Sequence, residues 1–88
     1  MVKAYVLVKT VAGTEDRVLR SFHEIQSIEE AHKVFGPYDI VIEVRGRDME
    51  SVVDIVTGKI RTVEGVFDTQ TLLVIDVDLD LSQSSLAS

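Results

Sequence analysis

The chain has 88 residues and a formal net charge of −6, with fifteen acidic and nine basic side chains. This length forms a single domain with a modest core. The acidic balance and the scattered lysines and arginines exclude the basic patch that direct nucleic-acid binding needs. The absence of cysteine excludes disulfides and thiolate metal sites, and no apolar run reaches the roughly 18 residues of a membrane span. We therefore expect a cytoplasmic protein without a membrane or nucleic-acid partner.

The first third of the chain predicts a strand followed by an amphipathic helix. Residues 2–11 are rich in β-branched and aromatic side chains, which favour a strand, and Ala12 and Gly13 interrupt it. Thr14 is placed to cap the helix that follows. Apolar residues then recur at steps of three and four, as they do on one face of a helix: Val18, Leu19, Phe22 and Ile25.

The middle of the chain predicts a hairpin. Residues 28–35 and 38–45 read as two strands joined by a turn at Gly36 and Pro37. In the second of these strands Ile40, Ile42 and Val44 alternate with more polar neighbours, so that one side of the strand faces a core.

A second helix and a last strand complete the pattern. Asp48 is placed to cap the helix, which runs to Gly65, and residues 66–76 form the strand. Gly58 inside this helix indicates close packing, because glycine there costs about 1 kcal/mol relative to alanine. The apolar set of the helix is Met49, Val52, Val53, Val56, Ile60 and Val63.

The resulting order, βαββαβ, predicts an α+β ferredoxin-like sandwich. A shift of the sequence by 35 residues places Val6 on Val41 and Val18 on Val53, which indicates two similar βαβ halves, with chance overlap of aliphatic residues as the alternative. Two such units form a four-stranded antiparallel sheet with both helices on one face. We expect residues 1–76 to form this domain and residues 77–88 to form an acidic and serine-rich C-terminal extension.

The sheet face without helices predicts self-association. The first and last strands are apolar on this face as well, through Tyr5, Leu7, Leu72 and Val74. Burial of these four side chains contributes roughly 6–12 kcal/mol per subunit at about 1.5–3 kcal/mol each, against an association cost of about 4–15 kcal/mol. Since two subunits contribute, we expect at least a two-fold, face-to-face homodimer.

The sequence offers little for catalysis or metal binding, and we expect no catalytic residue, metal or cofactor. His23 and His32 have no visible partner, and a surface or interface position is the common state of such histidines. Asp76, Asp78 and Asp80 lie on one side of an extended segment and could hold a cation, but the glycine and the closing glutamate of an EF-hand are missing. A solvated strand end is the alternative.

The segment Gly36-Pro37-Tyr38-Asp39 combines a backbone corner, an aromatic wall and a carboxylate. A small zwitterion needs an anion for its ammonium group and amide or hydroxyl donors for its carboxylate. Thr69 and Thr71 could add hydroxyls from another strand or subunit. On the residues alone, a ligand site and a plain structural turn both remain open.

Three segments, "AYVLVKTVAG", "IEEAHKVFGPYDIVIEVRGRD" and "IRTVEGVFDTQTLLVI", resemble the effector-binding (RAM) domain of the Lrp/AsnC regulators. The likeness covers about residues 2–76. It implies a ferredoxin-like domain that dimerises through its sheets, with dimers often joined into rings such as octamers. It also implies that small effectors, typically amino acids, bind between neighbouring dimers near a Gly-x-Tyr-Asp turn.

The resemblance implies a role for each matching position. Gly36, Pro37, Tyr38 and Asp39 would form the turn side of the pocket, with Asp39 binding the effector amine. The apolar wall and the polar groups of an adjacent subunit would come from Val34, Met49, Thr69 and Thr71. Pro37 departs from the charged residue often found at its position, and it removes an amide donor.

Full-length regulators of this family carry an N-terminal helix-turn-helix domain, whereas this sequence begins at the first strand. The expected protein is a stand-alone RAM form that senses an amino acid, oligomerises and modulates full-length Lrp/AsnC regulators without binding DNA itself. Two alternatives stay open: a cofactor-poor enzyme of the dimeric α+β barrel type, and a structural adaptor without a ligand.

Overall fold

The computed structural model describes residues 1–75, and the predicted Asp76, Asp78 and Asp80 cluster and the extension 77–88 lie outside them. A four-stranded antiparallel sheet of order β2-β3-β1-β4 carries two helices on one face, which confirms the predicted α+β ferredoxin-like fold. The elements are β1 (Val2–Thr10), α1 (Glu15–His23), β2 (Ile28–Lys33), β3 (Ile40–Gly46), α2 (Met49–Ile55), a π-helical turn (Val56–Ile60) and β4 (Val66–Leu73).

The core lies between the helices and one face of the sheet. Alternate residues of β1 and β3 point into it, as the period-two pattern predicts, and Val18 and Phe22 of α1 complete it from above. The fully buried strand residues are Ala4, Val6, Val8, Ile40, Ile42 and Val44.

Helix starts and ends differ in detail from the prediction. Thr14 precedes α1 as expected, but its hydroxyl donates to the Val11 carbonyl at 2.6 Å and makes no hydrogen bond to the helix. Asp48 caps α2 as predicted, because its Oδ1 accepts from the Ser51 backbone N–H at 2.9 Å. The predicted second helix is too long: the α-helix ends at Ile55, a π-helical turn continues it to Ile60, and the predicted helix end at Gly65 is wrong.

Two packing predictions are wrong. The offset of 35 residues makes Val41 the counterpart of buried Val6 in the second half. In the structure Val6 lies opposite Ile42, and both are buried on the core face of the sheet, so Val41 points to the other face. Gly58 is not closely packed, because a Cβ there would meet no atom within 4 Å.

A glycine that does fit a close approach is Gly65, just before β4. Its φ is +104°, and a Cβ would lie 2.7 Å from the Cγ2 of buried Val18. Its carbonyl also accepts from the Val11 N–H at 2.9 Å. Gly65 therefore fixes the point at which the chain enters β4 at the edge of the sheet.

Candidate functional site

A groove of about 400 Å³ lies between α2 and the edge strand β4, on the helix side of the sheet. We call it the α2–β4 groove. Helix α2 packs over β3 and β1, and Thr71 of β4 is exposed beside it. The groove is lined by Met49, Val52, Val53, Val56, Thr57, Arg61, Thr69, Thr71 and Leu73.

The strand register decides which side chains of β4 face the groove. Thr69 lies opposite Val8 and Thr71 lies opposite Val6, so both threonines share the face of the buried core. Gln70, between them, points to the other face. The groove floor therefore carries two hydroxyls where the neighbouring strand carries only aliphatic groups.

The helical wall of the groove is fixed at its start by the Asp48 cap. The Ser51 N–H and hydroxyl both donate to Asp48 Oδ1, at 2.9 and 2.8 Å. The Ser51 backbone N–H, and then its hydroxyl, lower the pKa of Asp48 below its ordinary value of 3.8. The cap holds the first turn so that Met49 and Val53, 55 % and 50 % exposed, present apolar surface to the groove.

The π-helical turn supplies the far end of the wall. Its bond runs from the Arg61 N–H to the Val56 carbonyl at 2.9 Å, five residues back. Thr57 and Arg61 both line the groove from this segment. The Thr57 hydroxyl already donates to the Val53 carbonyl at 2.9 Å, so it is partly occupied.

The groove has an uneven charge. In the part of the chain that the structure describes, Arg61 is the only charged residue among the lining side chains, and no carboxylate lines the groove. Within residues 1–75 the Arg61 guanidinium makes no ion pair, and the hydroxyls of Thr69 and Thr71 make no hydrogen bond. An apolar wall, two hydroxyls and one cation can together bind a small molecule that carries an anionic end.

The Gly36–Asp39 turn lies elsewhere and is tied into the sheet. Asp39 Oδ2 accepts from the Thr10 N–H at 2.8 Å and from the Thr10 hydroxyl at 3.0 Å. The Asp39 N–H donates to the Val8 carbonyl at 2.9 Å, and the Asp39 carbonyl accepts from the Val34 N–H at 3.0 Å. Asp39 thus clamps the end of β1 at the register shift between Lys9 and Thr10.

Two aromatic side chains, Tyr38 in the turn and Phe35 just before it, point away from the core. The Tyr38 hydroxyl donates to Gln70 Oε1 at 2.9 Å, on the face of the sheet that has no helices. The Pro37 carbonyl accepts from Lys9 Nζ at 3.2 Å. Phe35 is fully exposed, which leaves a large apolar ring without a partner in residues 1–75.

Of the eight ligand positions expected from sequence, the structure brings Met49, Thr69 and Thr71 together in the groove. The other five do not line it: Val34, Gly36, Pro37, Tyr38 and Asp39. Sequence reasoning missed Arg61 and Thr57. Their spacing of four residues was the available signal, because it places both on one side of a helical turn.

The helix-free face of the sheet is mixed in character. Tyr5, Leu7, Leu72 and Val74 share this face, as predicted, and Leu72 is 48 % exposed. An ion pair crosses it, with Lys3 Nζ 3.2 Å from Glu43 Oε1 and 5.3 Å from the centre of the Tyr5 ring. Tyr5 and then Glu43 raise the pKa of Lys3 above its ordinary value.

Both histidines have partners. His23 Nε2 lies 3.1 Å from the Ala31 carbonyl and so joins α1 to β2, and His32 Nε2 lies 3.0 Å from Glu30 Oε1. Neither lines the α2–β4 groove.

No helix within residues 1–75 is both long and apolar enough to cross a membrane.

The comparison with family models decides the family. The model of the Lrp/AsnC ligand-binding domain matches residues 3–79. The chain belongs to this family. The match includes the groove residues and the turn alike, and it extends slightly beyond the expected domain end at residue 76.

The chain is also similar to individual proteins and solved structures. The chain is 35 % identical over 60 residues to the uncharacterized HTH-type transcriptional regulator PF0250 of Pyrococcus furiosus, a match that covers 68 % of this chain and 40 % of that one. It superposes on the crystal structure of TTHA0845 from Thermus thermophilus with a TM-score of 0.81 and 36 % identity, over 85 % of this chain and 94 % of that one. E. coli AsnC shares the fold, with a TM-score of 0.79 and 24 % identity over 84 % of this chain and 50 % of AsnC.

Proposed function

We propose that this Lrp/AsnC ligand-binding domain is an amino-acid sensor whose output is its state of assembly. The observation that carries the proposal is the α2–β4 groove, where Met49, Thr69 and Thr71 converge with Arg61 in a domain of a ligand-binding family. Relatives named as transcriptional regulators favour a regulatory role over an enzymatic one.

Assembly begins, in this proposal, with the helix-free face of the sheet. Tyr5, Leu7, Leu72 and Val74 share that face, and a second copy placed on it would bury them. The Lys3–Glu43 pair lies among them and would set the register of the two sheets. A two-fold dimer is the simplest assembly that covers this face.

The two separate parts of the expected site would meet between dimers. The exposed ring of Phe35, together with Val34, which is 41 % exposed, forms an apolar surface on the turn. The groove of a neighbouring subunit offers a matching apolar wall at Met49 and Val53. In such a composite site the effector would bind in the groove, and Asp39 of the adjacent turn would bind its amine, as the family resemblance implies.

An effector bound between dimers changes assembly in proportion to its differential affinity for the two states. Each tenfold difference in affinity shifts the equilibrium by about 1.4 kcal/mol. With a net charge of −6 the domain would not contact DNA, and it would instead form mixed assemblies with full-length Lrp/AsnC regulators, in a ring such as an octamer.

The test is a thermal-shift screen of the twenty amino acids, followed by sedimentation velocity with and without each hit. We expect at least one amino acid to raise the melting temperature and to change the sedimentation coefficient. The double variant Thr69→Val, Thr71→Val should lose the shift, because valine keeps the shape of threonine and removes its hydroxyl.

Thr62→Val is the matched control, since Thr62 does not line the groove and its hydroxyl donates to the Gly58 carbonyl. This control should respond like the wild type. If none of the twenty amino acids binds, or if the sedimentation coefficient is unchanged at saturation, the proposed sensor is wrong.

A further inference from the structure

We infer that the α2–β4 groove recognises its ligand by a carboxylate, which Arg61 binds, and by an uncharged aliphatic side chain. The ligand class is therefore a small aliphatic carboxylate. Because residues 1–75 of one chain supply no acidic partner for an amine in the groove, the groove would bind both an amino acid and the 2-oxo acid that has the same side chain. This inference rests on the proposed function, because it names the ligand class of the same site.

The charge of the groove supports the carboxylate. Among residues 1–75, Arg61 is the only charged residue that lines the groove, and its guanidinium makes no ion pair with any of them. A guanidinium presents two parallel N–H donors that match the two oxygens of a carboxylate. The hydroxyls of Thr69 and Thr71 can donate to the same oxygens from the facing strand.

The rest of the lining supports an uncharged aliphatic side chain. Met49, Val52, Val53, Val56 and Leu73 supply carbon surface, and a methionine adapts its shape to branched groups. A volume of about 400 Å³ lies within the range of small-molecule sites. A cationic side chain would find no anion in this groove, since no acidic residue of the described chain lines it.

Because no acidic residue among residues 1–75 lines the groove, the amine of an amino acid would have no negatively charged partner there. The carboxylate expected to bind the amine, Asp39, does not line the groove, and its Oδ2 accepts two hydrogen bonds from Thr10. Recognition of the amine would have to come from the turn of another subunit. The groups that would bind the carboxylate, Arg61, Thr69 and Thr71, all come from one chain.

Three probes of the same size separate these contributions in isothermal titration calorimetry: leucine, 4-methyl-2-oxopentanoate and leucinamide. The oxo acid lacks the amine, and the amide lacks the carboxylate. We expect leucine and the oxo acid to bind, and leucinamide to bind at least about tenfold more weakly than either.

Arg61→Gln should weaken the binding of both carboxylates by at least about tenfold and should not weaken the binding of leucinamide, because its amide group has no negative charge for the guanidinium to pair with. Arg17→Gln is the matched control: Arg17 is exposed on α1, does not line the groove and undergoes the same change of charge. It should bind all three probes like the wild type.

Equal binding of leucine and leucinamide, or equal binding by the Arg61→Gln and Arg17→Gln variants, would overturn the inference and leave the sensor proposal standing. The same holds if the thermal-shift screen finds only charged amino acids. Failure of every amino acid and of the oxo acid to bind would overturn both proposals.

Discussion

The Gly36–Asp39 turn and the α2–β4 groove both contain residues that the sequence suggests for a ligand, yet their polar groups differ in whether they already make hydrogen bonds. In the turn, the Asp39 carboxylate and the Tyr38 hydroxyl are bound to Thr10 and Gln70 of neighbouring strands. In the groove, the Thr69 hydroxyl makes no hydrogen bond within residues 1–75.

Within one chain, the hydrogen bonds give the turn a structural role and leave the groove open to a ligand. A group that already has partners loses those bonds when it binds a ligand, so its net gain is small. A hydroxyl or guanidinium that faces an open groove exchanges only water. Mutations in the turn should therefore lower the stability of the fold, whereas mutations in the groove should change binding and leave the stability nearly unchanged.

The largest expected effect is that of Asp39→Ala on stability. It removes both hydrogen bonds to Thr10, a residue that is only 7 % exposed, and leaves the Thr10 N–H without its acceptor. We expect a loss of about 2–3 kcal/mol in the free energy of unfolding, measured by urea denaturation. Asp39→Asn keeps an acceptor oxygen and should lose only about 1 kcal/mol. Equal losses for both variants would contradict the clamp.

A pair of glycine variants should give effects of opposite sign. Gly36 in the turn has a φ of +140°, so Gly36→Ala should destabilise by about 1–2 kcal/mol through backbone strain. Gly58 on the helical wall has room for a Cβ, so Gly58→Ala should stabilise by about 0.4–1 kcal/mol. Thermal unfolding of both variants checks this, and a stabilised Gly36→Ala would refute the strain at the turn.

Thr69→Val should change the free energy of unfolding by less than about 0.5 kcal/mol, because the hydroxyl has no partner in residues 1–75 and valine suits a strand equally well. Urea denaturation measures this directly. A loss above about 1 kcal/mol would show that the hydroxyl has a structural partner, and the contrast with Asp39 would then fail.

The smallest expected effect concerns pH and the Asp48 cap at the start of α2. Since folding lowers the pKa of Asp48 below 3.8, its contribution to stability is fully present above that pH and is lost as the pH falls through the folded-state pKa. Asp48→Asn should therefore flatten the acid limb of the stability curve below about pH 4.

Asp54→Asn serves as the control for this cap. Asp54 lies on the same helix, is exposed, and makes no side-chain hydrogen bond within residues 1–75. Unfolding free energies measured from about pH 2 to about pH 6 should separate the two variants. If their acid limbs coincide, the cap does not contribute.

Much of the fold could be predicted because the patterns that specify it are local. The alternation of Ile40, Ile42 and Val44, the helical spacing of Val18 and Phe22, and the cap at Asp48 each depend on neighbours a few residues away. The repeat register failed for the same reason: Val6 and Val41 match in residue type, but only strand pairing decides which face each one occupies.

The order of the elements, the family and the residue types available for binding follow from the amino-acid pattern alone. Which of those residues meet depends on how the chain folds in three dimensions. Thr69 and Arg61 reach one groove because β4 lies at the sheet edge beside α2, whereas Asp39 joins Thr10 across a separation of 29 residues. Such contacts depend on how strands and helices pack across the whole chain, and no local pattern of residues encodes them.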